Sequence, residues 1–328
     1  MNLLPLAALL VLAAFPAGAG GFGSSQGGTS GASFLKLGAD ARAAGMGGAV
    51  RAAVDDATAI YWNPAGLAGL RYRHATMTHG ASYQNTFQDF IAYAQPVESP
   101  FGRQTGRERD LRPDQLGTLG IAVLYQNSGS ITEVDNTAQA TGERFTPQDL
   151  AVFLAWGATV SRGLDVGIGL KYVTTQIKGT ASTGAVDLGA RWRTWLPGEF
   201  PYALSLSAQN LGGQLKFREA GDPLPMLVTV GQAIRVVKGL VVTLDLNAPR
   251  DRSLYPSFGL EWRVPMKQGL SAALRGGYDG RLNGNDSGGL TGIAFGGGLG
   301  IQRFGFDYGW SPAGGLGSTH KLSLSYRF

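Results

Sequence analysis

Asp55 and Asp56 stand side by side at the head of DDATAIYWNPAGLAGL, residues 55 to 70. Adjacent carboxylates can divide general-acid and general-base work between them. Equally, Asp55 can cap a helical turn through Ala57–Trp62, because a carboxylate accepts from the free N–H groups of a first turn, and the two can enter a salt bridge in the lumen. The residues that follow favour the second reading. An apolar, aromatic run leads from Ala57 to Trp62 and breaks at Asn63-Pro64. The residue before a proline leaves the helical region, so the turn ends at Asn63. Pro64 is then free to open the next turn, with Ala65 inside it. Tyr61 and Trp62 either line a path for a hydrophobic ligand or pack the segment against its surroundings.

Other chemistry is sparse. The three histidines, His74, His79 and His320, are too dispersed for a metal centre, and the chain has no cysteine. Disulfides, thiolate metal sites and a lipid anchor on cysteine are thereby excluded. No Ser-His-Asp arrangement stands out. GGGLG (296–300) lies in an alternating run and reads as strand, not as a phosphate loop. The sequence therefore predicts neither an enzyme nor a cofactor. The formal charge is +5, but the basic residues are scattered and lack interleaved aromatics, so no nucleic-acid partner is expected.

The elements that must position these residues are strands. From about residue 73 onward, period-two alternation recurs. In DLAVFLAWGATV, Leu150, Val152, Leu154 and Trp156 share one face, while Ala151, Phe153, Ala155 and Gly157 share the other. The non-aliphatic face is rich in Gly, Ala and Ser, with charges of both signs. It carries Asp165, Lys171, Asp187, Arg191, Arg193, Asp245, Glu261, Arg263, Arg275 and Asp307. A crowded polar lumen suits that face, and lipid suits the aliphatic one. These charges either guide a substrate or pair across the lumen and hold whatever fills it.

Fourteen strands are predicted, at roughly 73–83, 86–95, 117–126, 149–160, 164–177, 183–195, 202–210, 226–236, 240–247, 256–264, 269–278, 290–301, 304–311 and 320–328. Short connections (SRG, VKG, QR) alternate with longer polar ones (127–148, 279–289). That is the pattern of an outer-membrane barrel with short periplasmic turns and both termini on the periplasmic side. Residues 96–116 break the pattern as a long periplasmic connection, and the first hairpin turn is short for an external loop. Backbone groups in hydrocarbon must all be paired, so the strands must close. The expected fold is all-β: an antiparallel transmembrane barrel.

The organisation read from the sequence has three parts. Residues 1–19, MNLLPLAALLVLAAFPAGA, carry no charged side chain and end in small residues, as a signal peptide does. Residues 20–72 form a Gly/Ser lead and a compact plug-like hatch with short helices, and 73–328 form the barrel.

The stretch LGADARAAGMGGAVRAAVDDATAIYWNPAGLAGL (37–70) resembles the N-terminal signature of the PorV/PorQ family of outer-membrane proteins. AQNLGG (208–213), GLEW (259–262), ALRGGY (273–278) and FDYGWSPAGGLGSTHKLSLSYRF (306–328) match as well. Asn63-Pro64-Ala65 resembles the hatch of the FadL-type hydrophobic-compound channels. The resemblance implies a fourteen-stranded barrel with its N-terminal segment in the lumen, in the outer membrane of a Gram-negative-type bacterium. It implies outer-membrane lipid around the wall. It leaves three roles open. One is passage of a hydrophobic small molecule through the lumen and out by a gap in the wall. The second is handling of secreted proteins with type IX secretion machinery. The third is a structural barrel without transport.

Overall fold

In the computed structural model the description covers residues 29–328 apart from 84, 99–114, 136, 138, 218, 220, 283–290 and 313–316. The expected signal peptide 1–19, the lead before 29, the bulk of the 96–116 connection and most of 279–289 lie outside it. The first strands are β1 (His74–Ala81), β2 (Phe87–Glu98), β3 (Gln115–Asn127), β4 (Ile131–Val134), β5 (Ala140–Phe145) and β6 (Gln148–Ser161). β7 (Leu164–Gln176), β8 (Thr180–Leu196), β9 (Phe200–Leu211), β10 (Gln214–Lys216), β11 (Gly221–Pro223) and β12 (Leu227–Val237) follow. The chain ends with β13 (Leu240–Pro249), β14 (Tyr255–Pro265), β15 (Leu270–Asp279), β16 (Ile293–Ile301), β17 (Phe304–Pro312) and β18 (Ser318–Arg327).

Fourteen of these strands form one closed antiparallel barrel, which β1 seals by pairing with both β18 and β2. Each coincides with a predicted strand, including β1 and β2, where the loop pattern was weakest. The sequence did not predict the small hairpins β4–β5 and β10–β11, which stand in the long connections after β3 and β9.

Alternation sorts the side chains onto two faces. Ile121, Leu154, Leu170, Leu206, Leu260 and Leu274 face outward and are exposed. Asp165, Lys171, Asp187, Arg191, Asp245, Glu261 and Arg275 face inward and are buried. Trp192 and Trp262 are exposed beside the two-residue turns 162–163 and 238–239, where an interfacial aromatic girdle belongs. The β2–β3 ladder loses step between Val97 and Glu98, and Gly117 takes φ 110° there, a region that only glycine enters freely. Trp156 Nε1 donates to the Leu116 carbonyl at 3.0 Å beside this bulge.

Residues 33–70 fill the barrel. They form a 3-10 turn at Ser33–Lys36, helical turns α1 (Ala41–Gly45) and α2 (Ala59–Trp62), and a 3-10 helix at Pro64–Gly69. The segment starts at the long-loop end, where the Gly31 N–H donates to the Pro223 carbonyl at 3.0 Å and Lys36 pairs with Asp251. It finishes at the short-turn end, where the Phe328 N–H donates to the Arg73 carbonyl at 3.0 Å. Both ends of the barrel strand sequence thus share the short-turn end, as expected. The segment before them runs the whole height of the lumen from the other side.

Two rows of wall glycines admit it. Gly157, Gly167 and Gly189 are register partners on β6, β7 and β8, and Pro64 and Ala65 lie directly on them. Gly259, Gly277, Gly296 and Gly309 on β14 to β17 underlie Met46, Gly45 and Ala41. A side chain at Gly45 would stand 2.8 Å from the Gly296 Cα, so here backbone meets backbone. Close packing leaves no slack for even one added methylene. Gly167→Val or Gly277→Val should therefore leave an assembled barrel, judged by heat-modifiable electrophoretic mobility, but unseat the segment. Trypsin should then cut after Arg42 or Arg51 at least tenfold faster than in the parent; unchanged protection would refute the seating.

Candidate functional site

The segment's own polar residues hold its turns. Asp56, not Asp55, caps the turn before α2: its Oδ1 accepts from the Thr58 N–H at 2.8 Å. Asp55 is largely exposed and instead accepts from Arg42 Nη1 at 2.9 Å. The expected cap thus moves by one residue, because Arg42 on α1 draws Asp55 away. Burial pushes the Asp56 carboxyl up, but the charges of His74 and Arg42 and the Thr58 bonds outweigh it and hold it below its ordinary value. Asn63 is fully buried and ends α2. Its side-chain oxygen accepts from the Ala65 N–H at 3.1 Å, and its Nδ2 donates to the Arg51 carbonyl at 3.1 Å. Pro64 opens the next turn, as its fixed φ favours.

Tyr61 and Trp62 are both buried and meet edge to face at 4.9 Å. The Tyr61 hydroxyl donates to the Leu35 carbonyl at 2.7 Å, and Phe90 and Phe153 of the wall flank its ring. Burial pushes this phenol up to about 12, so it stays protonated. Trp62 Nε1 donates to Asp40 Oδ2 at 2.6 Å, while Asp40 Oδ1 caps α1 through the Ala43 N–H at 2.8 Å. Burial and the charge of Asp56 raise the Asp40 carboxyl above its ordinary value.

The wall charges do not pair across the lumen, because the segment occupies it. They pair along one strand, between strands one or two apart in the wall, and with the segment. Asp165 takes Arg191 at 3.0 Å and Arg193 at 2.9 Å. Lys171 takes Asp187 at 2.7 Å. Glu261 collects Arg275 at 2.8 Å, Arg42 at 2.9 Å and Arg263 at 3.4 Å, and Arg275 reaches on to Asp307 at 2.7 Å. Asp245 is met by Arg51 at 3.3 Å, whose guanidinium also lies over the Trp62 ring. Arg191 donates to the Val54 carbonyl at 2.7 Å. None of these carboxylates stands free as a catalytic acid or base.

Above the segment, on the long-loop side, lies a cavity of about 1060 Å³. α1, Tyr61 and Trp62 form its floor; Gln88, Gln126, Asn210, Asn247 and Tyr255 stand in its wall. The sequence reading missed Arg42, Arg51, Asp40 and Lys321 as parts of this arrangement. The available signal was their position: Asp40, Arg42 and Arg51 are isolated charges in an otherwise Ala- and Gly-rich run.

A closed fourteen-stranded wall, a buried N-terminal segment and a cavity above it are thus in place, and solved structures share the overall architecture. The Ralstonia pickettii toluene transporter TbuX superposes with a TM-score of 0.57 at 13% identity, over 89% of this chain and 98% of that one. The Pseudomonas putida toluene transporter TodX gives 0.56 at 10% identity, over 88% and 98%. The monoaromatic hydrocarbon channel CymD gives 0.55 at 12% identity, over 89% and 98%. These hydrocarbon channels share the fold of this chain. No protein-family model matches the sequence, and no curated protein matches it. At such identities the likeness speaks for the fold alone.

Removing one partner of a buried pair costs about 3–5 kcal/mol, because the other charge stays buried. Arg51→Ala strands Asp245, whose side chain has no exposed surface. It should lower the protection of residues 37–70 against trypsin by that amount, while Arg51→Ala with Asp245→Ala should recover at least half of it. Simple additivity of the two losses would show that the pair does not couple segment to wall.

Proposed function

We propose that this chain is an outer-membrane channel for hydrophobic small molecules and that residues 37–70 are its hatch. The observation that carries the reading is the segment itself. It blocks the lumen at the level of Asn63-Pro64 yet leaves a ligand-sized cavity above Tyr61 and Trp62. An aliphatic outer face around a closed ladder suits a bilayer, with the long-loop end outside and the short-turn end in the periplasm. The hydrocarbon channels of the same fold support a hydrophobic cargo. In this reading Tyr61 and Trp62 both seal the hatch and touch the ligand. Asp55, Asp56 and Asn63 shape its turns, and the wall charges anchor it.

A second reading follows the PorV/PorQ resemblance: a barrel that receives secreted proteins for type IX secretion. The hairpin β4–β5 favours it, since it stands in the long connection after β3 and leaves Ile131 and Val134 exposed.

The two halves of the channel reading are tested together. In planar bilayers the parent barrel should pass almost no ion current, and the form lacking 37–70 should conduct steadily. In cells the parent should speed entry of radiolabelled toluene several-fold over cells without it. A deleted barrel that assembles and stays tight would refute the hatch, and unchanged toluene entry would refute the channel.

A further inference from the structure

The lining of the upper cavity is unlike what a bare hydrocarbon needs. Its cations are already engaged. Lys36 pairs with Asp251, Arg281 with Asp279 at 3.1 Å, and Arg51 with Asp245 at 3.3 Å. Lys321 Nζ donates to the Leu37 carbonyl at 3.1 Å and to Gln88 Oε1 at 2.9 Å. Arg252, at the exposed rim, donates to the Arg281 carbonyl. Among the described residues, an anionic ligand would find no lining cation that is not already committed to a carboxylate or a carbonyl.

The remaining polarity is neutral apart from Asp40, whose carboxyl is taken up by the Trp62 ring N–H and the Ala43 N–H. Gln88, Gln126, Gln209, Asn210 and Asn247 all line the cavity. The Gln126 side-chain oxygen is buried without a partner, and so is Arg51 Nε on the same lining. Gln88, Gln209, Asn210 and Asn247 already bond within the protein, so a hydrocarbon would leave the Gln126 oxygen as the amide acceptor without a partner, a costly state. The floor is different, being made by the buried rings of Tyr61 and Trp62.

From this juxtaposition of paired charges, an unpartnered amide oxygen and an aromatic floor, we infer that the cavity binds an uncharged molecule carrying a hydroxyl group on an apolar, ring-bearing body. The ring lies against Tyr61 and Trp62, and the hydroxyl donates to the side-chain oxygen of Gln126. This rests on the channel reading and narrows its cargo. A site built to hydrogen-bond a hydroxyl rejects the analogue that lacks it far more strongly than an apolar site rejects an added one.

Three probes of one size separate the possibilities: naphthalene, 2-naphthol and 2-naphthoate. Equilibrium dialysis of the full purified barrel at pH 7, corrected with protein-free micelles, measures each. The expected result is 2-naphthol bound about tenfold more tightly than either of the others, as one discriminating polar contact provides. In Gln126→Leu, with assembly checked by heat-modifiable mobility, that preference should shrink while naphthalene binding holds or rises. Naphthalene bound as tightly as 2-naphthol, or 2-naphthoate bound most tightly, would overturn the inference and leave a hydrophobic or anionic cargo for the same channel. A preference unchanged in Gln126→Leu would also overturn it. Binding of none of the three above the micelle background would count against the channel reading itself.

Discussion

Backbone packed on backbone is the contact from which the rest of this structure follows. A barrel of fourteen strands encloses more space than its inward side chains fill. Here a single segment fills it, and it comes close enough only where the wall has no side chains. Gly157, Gly167 and Gly189 make one such row under Pro64 and Ala65, and the glycines of β14 to β17 make another under Ala41 to Gly47. The abundance of small residues in the segment has the same cause. Ala41, Ala57, Ala59 and Ala65 are fully buried, and anything larger would hold the chain off the wall.

Once the segment is seated, the inward charges have only local partners. Water is excluded, so each carboxylate must be neutralised within hydrogen-bond reach. Adjacent strands supply one class of partner, as in Asp165 with Arg191, which face each other in register. The segment supplies the other, through Arg42 and Arg51. These contacts fix the segment's height in the lumen, while the glycine rows fix how closely it lies. The cavity is what remains above, and its character is inherited from the amides and paired charges that surround it.

The barrel was legible in the sequence because its two faces obey opposite demands at a period of two, and every barrel strand carried that signal. Even the closure was legible, since unpaired edges have no place in hydrocarbon. The turn structure of 55–70 was legible for local reasons: Asn63-Pro64 ends one turn and opens another whatever surrounds it. The cap was misplaced by one residue, because the competitor for Asp55 is Arg42, thirteen residues away. The partners of Arg42 and Arg51 were not legible at all. Glu261 lies 219 positions from Arg42 and Asp245 lies 194 from Arg51, and nothing local marks the match. The hairpins β4–β5 and β10–β11 escaped for another reason: strands of three to six residues are too short to show a period, and the buried face of β10 is the single residue Leu215.

The absence of cysteine makes one measurement direct. Val54 is buried in the segment, and cysteine is smaller than the valine it would replace there. In Val54→Cys, the account predicts a thiol that a polar maleimide does not label in the assembled barrel and labels fully after unfolding, while the thiol of Thr141→Cys, at an exposed position of β5, is labelled at once. A thiol at 54 labelled in the assembled barrel as fast as one at 141 would contradict the seating of the segment in the lumen, and with it the account built upon that contact.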